Sequence, residues 1–345
     1  ENLRHLARRN YPKSNCMIRT LYIKHWLPAS ILFTLLFLGI SPWMGVAAQD
    51  DLLSMLDEEQ SKEPTYTIAT FKASRLINGQ TIETISKNHL NFWISHRFGA
   101  VNSGFIANFF GLDEAKIRLG LEYGLTDRWL VGAGRSSLEK TYDLYTKYKL
   151  LRQSNKMPVT VTAMAGWGIN TMPTGYVIES GSSMKFNNNI ERYSYWSQVL
   201  VARKFTEKLS LQVMPTLIHV NKVEDPSIPN QLFALGAGGR YKLSQRVTLS
   251  AEYYYSLREL ADEEDDDDYE GSGAFPYPYR NALSFGVDIE TGGHVFQFHL
   301  TNARGMVEKQ FIGQNVGSWG KGDIFYGFNI ARTFSFDKAA RNTHK

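Results

Sequence analysis

The chain has 345 residues, 38 Lys and Arg against 34 Asp and Glu, a formal net charge of +4 and a single cysteine. That length suits one large barrel or two ordinary domains. Six of the bases (Arg4, Arg8, Arg9, Lys13, Arg19, Lys24) and one acid, Glu1, precede Gln49. The chain from Gln49 onward therefore carries 32 bases against 33 acids, and no basic field recommends nucleic acid as a partner.

Residues 1–16 precede a plausible start methionine and are expected to come from an over-extended reading of the gene or from an added leader. Met17 to Ala48 reads as a secretory signal peptide. Arg19, Lys24 and His25 form the charged start, Leu27 to Ile40 the apolar stretch, and Val46-Ala47-Ala48 the small residues at a cleavage position before Gln49. The competing reading is a membrane anchor, but the apolar run falls short of the ~20 residues a helical span needs. No cysteine follows the small residues, which disfavours a lipoprotein. Cys16 falls in the leading piece, so no disulfide is expected in an exported product.

Residues 49–88 form a periplasmic leader or plug segment, acidic and polar to Pro64. Thr67 to Leu76 within it could be a strand, a plug or a cap. From residue 89 to 336 one unit recurs: a stretch alternating apolar and polar residues, then a turn. Leu90, Phe92 and Ile94 alternate with Asn91, Trp93 and Ser95. Ile117, Leu119, Leu121 and Tyr123 alternate with Arg118, Gly120 and Glu122. Similar stretches start near residues 129, 144, 159, 193, 209, 233, 247, 283, 296 and 324, which makes about twelve strands. Residues 337–345 form a C-terminal tail.

A soluble sandwich would alternate too. Three features favour a membrane: strands long enough for the ~9–11 residues of a tilted span, short turns alternating with long loops, and aromatics near strand ends. The tight turns are 124–128, 205–208, 243–246 and 291–294. The long loops are 99–115, 171–192, 221–230, 258–280 and 303–322. The aromatic set is Trp129, Trp167, Tyr193, Tyr195, Trp196, Tyr253 to Tyr255, Tyr277 and Tyr279. The predicted fold is all-β: a closed antiparallel transmembrane β-barrel of about 12 strands behind a signal peptide and a short leader. Only a closed barrel satisfies every backbone group in lipid when the spans are strands.

The polar faces supply candidate lumen-lining residues: Arg118, Glu122, Lys147, Lys149, Arg240, Lys242, Glu252, Asp288 and Glu290. The bases and acids of the eighth to tenth strands, Arg240 and Lys242 with Glu252, Asp288 and Glu290, are expected to pair across the lumen. The alternative is that loops 99–115 and 303–322 fold inward and close it.

Several motifs together resemble one family. They are Thr70 to Gly79, Ile94-Ser95-His96-Arg97-Phe98-Gly99, Phe109-Phe110-Gly111-Leu112-Asp113, Ile117 to Asp127, Gly134-Arg135-Ser136-Ser137 and Lys147 to Gln153. In this order they resemble the outer-membrane β-barrel family catalogued as domain of unknown function 5777, over roughly residues 65–336. The resemblance implies a barrel in the outer membrane of a Gram-negative bacterium. It implies no reaction and carries over no site.

Chemistry is sparse. His96, His219, His294 and His299 could serve a lipid-acting barrel enzyme, but no serine stands in an activated motif, so no enzyme is expected. Glu263 and the run Glu264, Asp265, Asp266, Asp267 and Asp268 form a solvated loop or a weak divalent-cation site, without the glycine and spaced ligands of a calcium loop. Gly313 to Gly322 lacks the Lys-Ser/Thr ending of a phosphate loop. No cofactor is expected. The expected function is a narrow or gated channel or transporter for small polar or ionic solutes. The alternative is a non-conducting structural or docking barrel. Outer-membrane lipid, the barrel-insertion machinery and a candidate periplasmic partner are the partners implied.

Overall fold

Period-two alternation puts every second side chain on one face, and strands of 8–12 residues with two-sided environments leave a closed ring as the simplest way to pair all edges. A computed structural model of the chain, describing residues 64–226, 228–258 and 279–336, has that form. Twelve strands close an antiparallel barrel: β1 (His89–Ala100), β2 (Ala115–Thr126), β3 (Trp129–Ser136), β4 (Tyr142–Leu151), β5 (Thr160–Ile169), β8 (Tyr193–Lys204), β9 (Leu209–Val220), β10 (Gln231–Lys242), β11 (Val247–Ser256), β12 (Ala282–Thr291), β13 (His294–Thr301) and β14 (Phe325–Ser335). A small hairpin, β6 (Tyr176–Val177) with β7 (Ser183–Met184), decorates one loop. Neighbouring strands pair in chain order, and β1 closes on β14 from His89↔Ser335 to Ala100↔Phe325. The signal peptide, the residues of the leader before 64, the acidic run 264–268 and the C-terminal tail lie outside the described residues.

The long loops all leave from one end of the barrel, and the short turns, with residues 64–68 and the end of β14, lie at the other. Outward positions are apolar and exposed: Leu119, Leu121, Val199, Leu211, Phe233, Leu249, Phe285, Phe298 and Leu300. A belt of that size running round the whole ring would be untenable in water and is what a hydrocarbon layer requires. Trp129, Trp167, Tyr195, Tyr253 and Tyr255 join this outer surface.

Three of the expected interfacial aromatics are buried instead, among them Tyr279 in the 257–281 loop, and Tyr277 lies outside the described residues. Trp196 and Tyr254 point inward and are buried, as are Leu200, Met214 and Ile218. The inward faces of β8 and β9 thus mix large apolar side chains with the polar Ser194, Gln198, Ser210, Gln212 and Thr216. The physical reason is that the lumen is filled along that wall, where Phe71, Ile82, Phe311 and Ile312 complete an apolar cluster.

Two pieces of chain fill it. Residues 70–82 run inside the barrel and are nearly all buried. They form neither a barrel strand nor a cap. Leu76 N–H to Gly79 and Thr81 N–H to Ser74 (2.8 and 2.9 Å) close a tight hairpin that turns at Ile77 and Asn78. From the long-loop end the 302–324 segment folds in, with a short helical turn at Lys309–Gly313 that puts Phe311 against Tyr254 at a ring distance of 5.2 Å. The 101–112 loop does not fold inward. Phe105, Ile106, Phe109, Phe110 and Leu112 are exposed on its surface.

Candidate functional site

The lumen wall is built by side-chain parity. Arg97 on β1, Arg118 and Glu122 on β2, Asp143 and Lys147 on β4, Arg240 on β10, Glu252 on β11 and Asp288 on β12 all fall on inward positions and are buried. Buried charge is costly unless each group finds a partner, and the partners are largely the hairpin.

Glu252 accepts three backbone N–H groups at the hairpin turn, from Ile77 (3.2 Å), Asn78 (2.7 Å) and Gly79 (3.1 Å). Across the lumen, Lys147 Nζ donates to three backbone carbonyls of the same segment: Ser74 (3.1 Å), Thr81 (3.3 Å) and Glu83 (2.8 Å). Arg240 donates to the Ala69 carbonyl. Glu290 pairs with Lys72, and Lys149 with Glu83 at 3.4 Å. Amide side chains do the rest. Gln212 holds both Gln80 and Ile82, Gln297 reaches the carbonyls of Arg75 and Leu76, and Asn329 reaches Ile77.

Glu122 gathers four donors: Ser74 Oγ (2.5 Å), Tyr145 Oη (2.6 Å), Trp93 Nε1 (2.7 Å) and Asn91 Nδ2 (3.2 Å). Arg118 pairs with Asp143, both side chains nearly fully enclosed. Asp288 accepts from Ser250 and Gln297. Lys242 shares the inward parity of Arg240 at the turn-end rim and is half-buried.

The expected pairing of Arg240 and Lys242 with Glu252, Asp288 and Glu290 is therefore corrected. No ion pair joins those residues among the described ones; Glu252 and Glu290 turn to the hairpin, Arg240 to its Ala69 carbonyl and Asp288 to wall side chains. The parity argument placed the face of each charge but could not see a segment far away in sequence. Asp143, Arg97, Gln212, Gln297 and Asn329 were missed, although Asp143 shares the parity of Lys147, and Arg97 that of Asn91, Trp93 and Ser95.

At the long-loop end lies a cavity of about 300 Å³ lined by Lys116, Glu139, Lys140, Tyr176, Glu179 and Arg304 among others. Glu139 there takes the Tyr176 hydroxyl (2.8 Å) and Lys309 Nζ (3.0 Å), which fastens the infolded loop to the β3–β4 turn. Burial pushes the Glu179 and Glu224 carboxyls above the ordinary carboxylate range. Of the histidines, His96 stacks on Phe328, His219 on Tyr195 and His294 on Phe296, while His299 is buried inside. No cluster of His, Cys, Asp or Glu suited to a metal occurs among the described residues.

A closed ring of twelve strands with an apolar outer belt and an occupied polar interior defines a membrane β-barrel. The chain belongs to the membrane-bound beta barrel domain family, domain of unknown function 5777, whose model matches residues 71–334. No curated protein matches the sequence. Among solved structures it is similar to the NanC porin, with 10% identity over 72% of this chain and 100% of that one and a TM-score of 0.43. It is also similar to the COG4313 outer membrane channel from Pseudomonas putida F1, with 12% identity over 73% and 98% and a TM-score of 0.45. A third is the KdgM porin, with 8% identity over 72% and 99% and a TM-score of 0.41.

Proposed function

We propose that the protein is a gated channel for small polar or ionic solutes in the outer membrane of a Gram-negative bacterium, with the filled lumen as its closed state. The short turns then face the periplasm and the long loops the exterior. One observation carries the reading. The 70–83 segment adds no strand to the ring. Its polar contacts with the wall are largely side-chain hydrogen bonds to its backbone, each of which water can replace at a net cost of about 0.5–1.5 kcal/mol, or about 1.5–3 where the side chain is charged. A segment held in this way can leave while every strand pair of the barrel survives. The reading assigns transport and no catalysis; assembly by the barrel-insertion machinery belongs to it, as does a periplasmic partner able to engage the turn end.

Gly79 supplies the test. A Cβ there would lie 2.0 Å from Tyr254 Oη, so Gly79→Leu must drive the hairpin turn and the buried Tyr254 ring apart. Single-channel recording of the full protein in planar bilayers should show rare or small openings in the wild type and sustained conductance in Gly79→Leu. A second reading, the non-conducting docking barrel, is favoured by the apolar cluster of Phe71, Ile82, Trp196, Leu200, Met214 and Phe311, which packs the lumen as a core would. Silence of both proteins, with both shown folded by heat-dependent gel mobility, would select that second reading.

A further inference from the structure

The way the wall holds the hairpin names a class of solute; the step rests on the gated-channel reading. β4 and β12 stand six strands apart in a ring of twelve, which places them diametrically opposite, and β11 is one strand short of that. Lys147 and Lys149 come from β4; Glu252 comes from β11 and Asp288 and Glu290 from β12. Other charges near the basic wall have wall partners of their own, Arg118 in Asp143 and Glu122 in Asn91, Trp93 and Tyr145, with Ser74 of the inner segment as the fourth donor to Glu122. Arg240 lies on β10, beside the acidic wall, with its guanidinium on the Ala69 carbonyl of the inner segment.

The inner segment is oriented to this arrangement. It presents N–H groups, from Ile77, Asn78 and Gly79, to the acid on β11. It presents carbonyls, from Ser74, Thr81 and Glu83, to the base on β4. Its two ion pairs run the same way, Lys72 to the acidic wall and Glu83 to the basic wall. Nearly all of this recognition is of peptide backbone, donor end to the acids and acceptor end to the bases. When the segment leaves, Glu252, Glu290, Lys147 and Lys149 lose these partners together and face each other across the lumen.

We infer that the pathway selects small zwitterions of peptide type, with an ammonium or N–H end for the β11–β12 wall and a carboxylate or carbonyl end for β4, and that residues 74–83 occupy their place in the closed state. A solute carrying both ends satisfies both walls at once. An uncharged polyol satisfies neither charge, and a simple cation or anion satisfies one wall while being repelled by the other.

Osmotic swelling of liposomes holding full-length Gly79→Leu protein tests this with three probes: glycylglycine, the uncharged peptide N-acetylglycinamide, and the uncharged sugar arabinose. Glycylglycine should enter several-fold faster than arabinose, with N-acetylglycinamide between them. Adding Glu252→Gln or Lys147→Met should erase the glycylglycine advantage, so that the three probes enter at similar rates. Equal entry of the three probes through a conducting protein overturns the solute class and leaves the channel standing. Exclusion of all three by a folded protein that also conducts no potassium chloride overturns the channel reading, and the solute class falls with it. The comparison of probes needs no wall variant, so it stands even if one of those variants misfolds.

Discussion

At the scale of single residues, the interior illustrates how a buried charge survives. Arg118 and Asp143 enclose each other on β2 and β4, and the guanidinium lies over Gly134, where a Cβ would come within 2.2 Å of Arg118 Nη2. Removing one partner strands the other in a site without water, which costs about 3–5 kcal/mol, whereas replacing both with apolar residues of similar volume is far milder. Arg118→Met should therefore lower barrel stability by that amount in urea unfolding, and Arg118→Met with Asp143→Leu should recover most of it. A loss in the double variant equal to the sum of the losses in Arg118→Met and Asp143→Leu alone would show that the pair is not coupled. Arg118 was readable as inward from its place between Ile117 and Leu119. Its partner was not, because period two assigns a face and says nothing about which strand two positions round the ring supplies the opposite charge.

Among elements, the strands were the most legible feature: the twelve barrel strands begin within a few residues of the alternation that predicts them, while the β6–β7 hairpin falls inside the expected 171–192 loop. The exceptions have a common origin. Trp196, Leu200, Met214 and Ile218 break the rule that the inner face is polar, because Phe71, Ile82 and Phe311 pack against that wall. The hairpin at 74–81 turns at Ile77-Asn78, one residue before the Asn-Gly pair a sequence reader would look to, and its buried surroundings come from parts of the chain far away in sequence. The outer face is tested at Val287, which pairs with Leu249 and Phe298 near mid-strand. Val287→Arg should cost about 2–4 kcal/mol of stability in lipid, and a variant as stable as the wild type would reverse the assignment of faces. The loops answer to pH. Glu179 and Glu224 have folded-state pKa values raised by burial. Loop packing is then fully stable below the ordinary carboxylate value and weakens as pH rises through it toward the raised values. Limited proteolysis of the 170–192 loop in reconstituted protein should accelerate from acid to neutral pH, and Glu179→Gln should flatten that rise. A rate that falls with pH would contradict the buried-carboxyl account.

Taken whole, the molecule is a ring that owes nothing of its closure to its contents. Every strand has both neighbours, and β1 meets β14 directly. The inner segment comes in at the turn end, where Thr67 bonds to Gln153 and Tyr66 lies under Arg152 at 4.1 Å. It returns to the same end through Asn88, which bonds to Gly124 just before β1 begins. Its two ends therefore share one side of the membrane, and the chain passes through no other loop to reach its place. It follows that maturation has no obligatory sequence: the cylinder can seal around an empty bore and take up its hairpin afterwards, or close upon it. Whichever comes first, the hairpin is a reversible occupant, and denaturant should release it in a first phase, with loss of Trp93 and Trp196 burial, well before the cylinder itself comes apart.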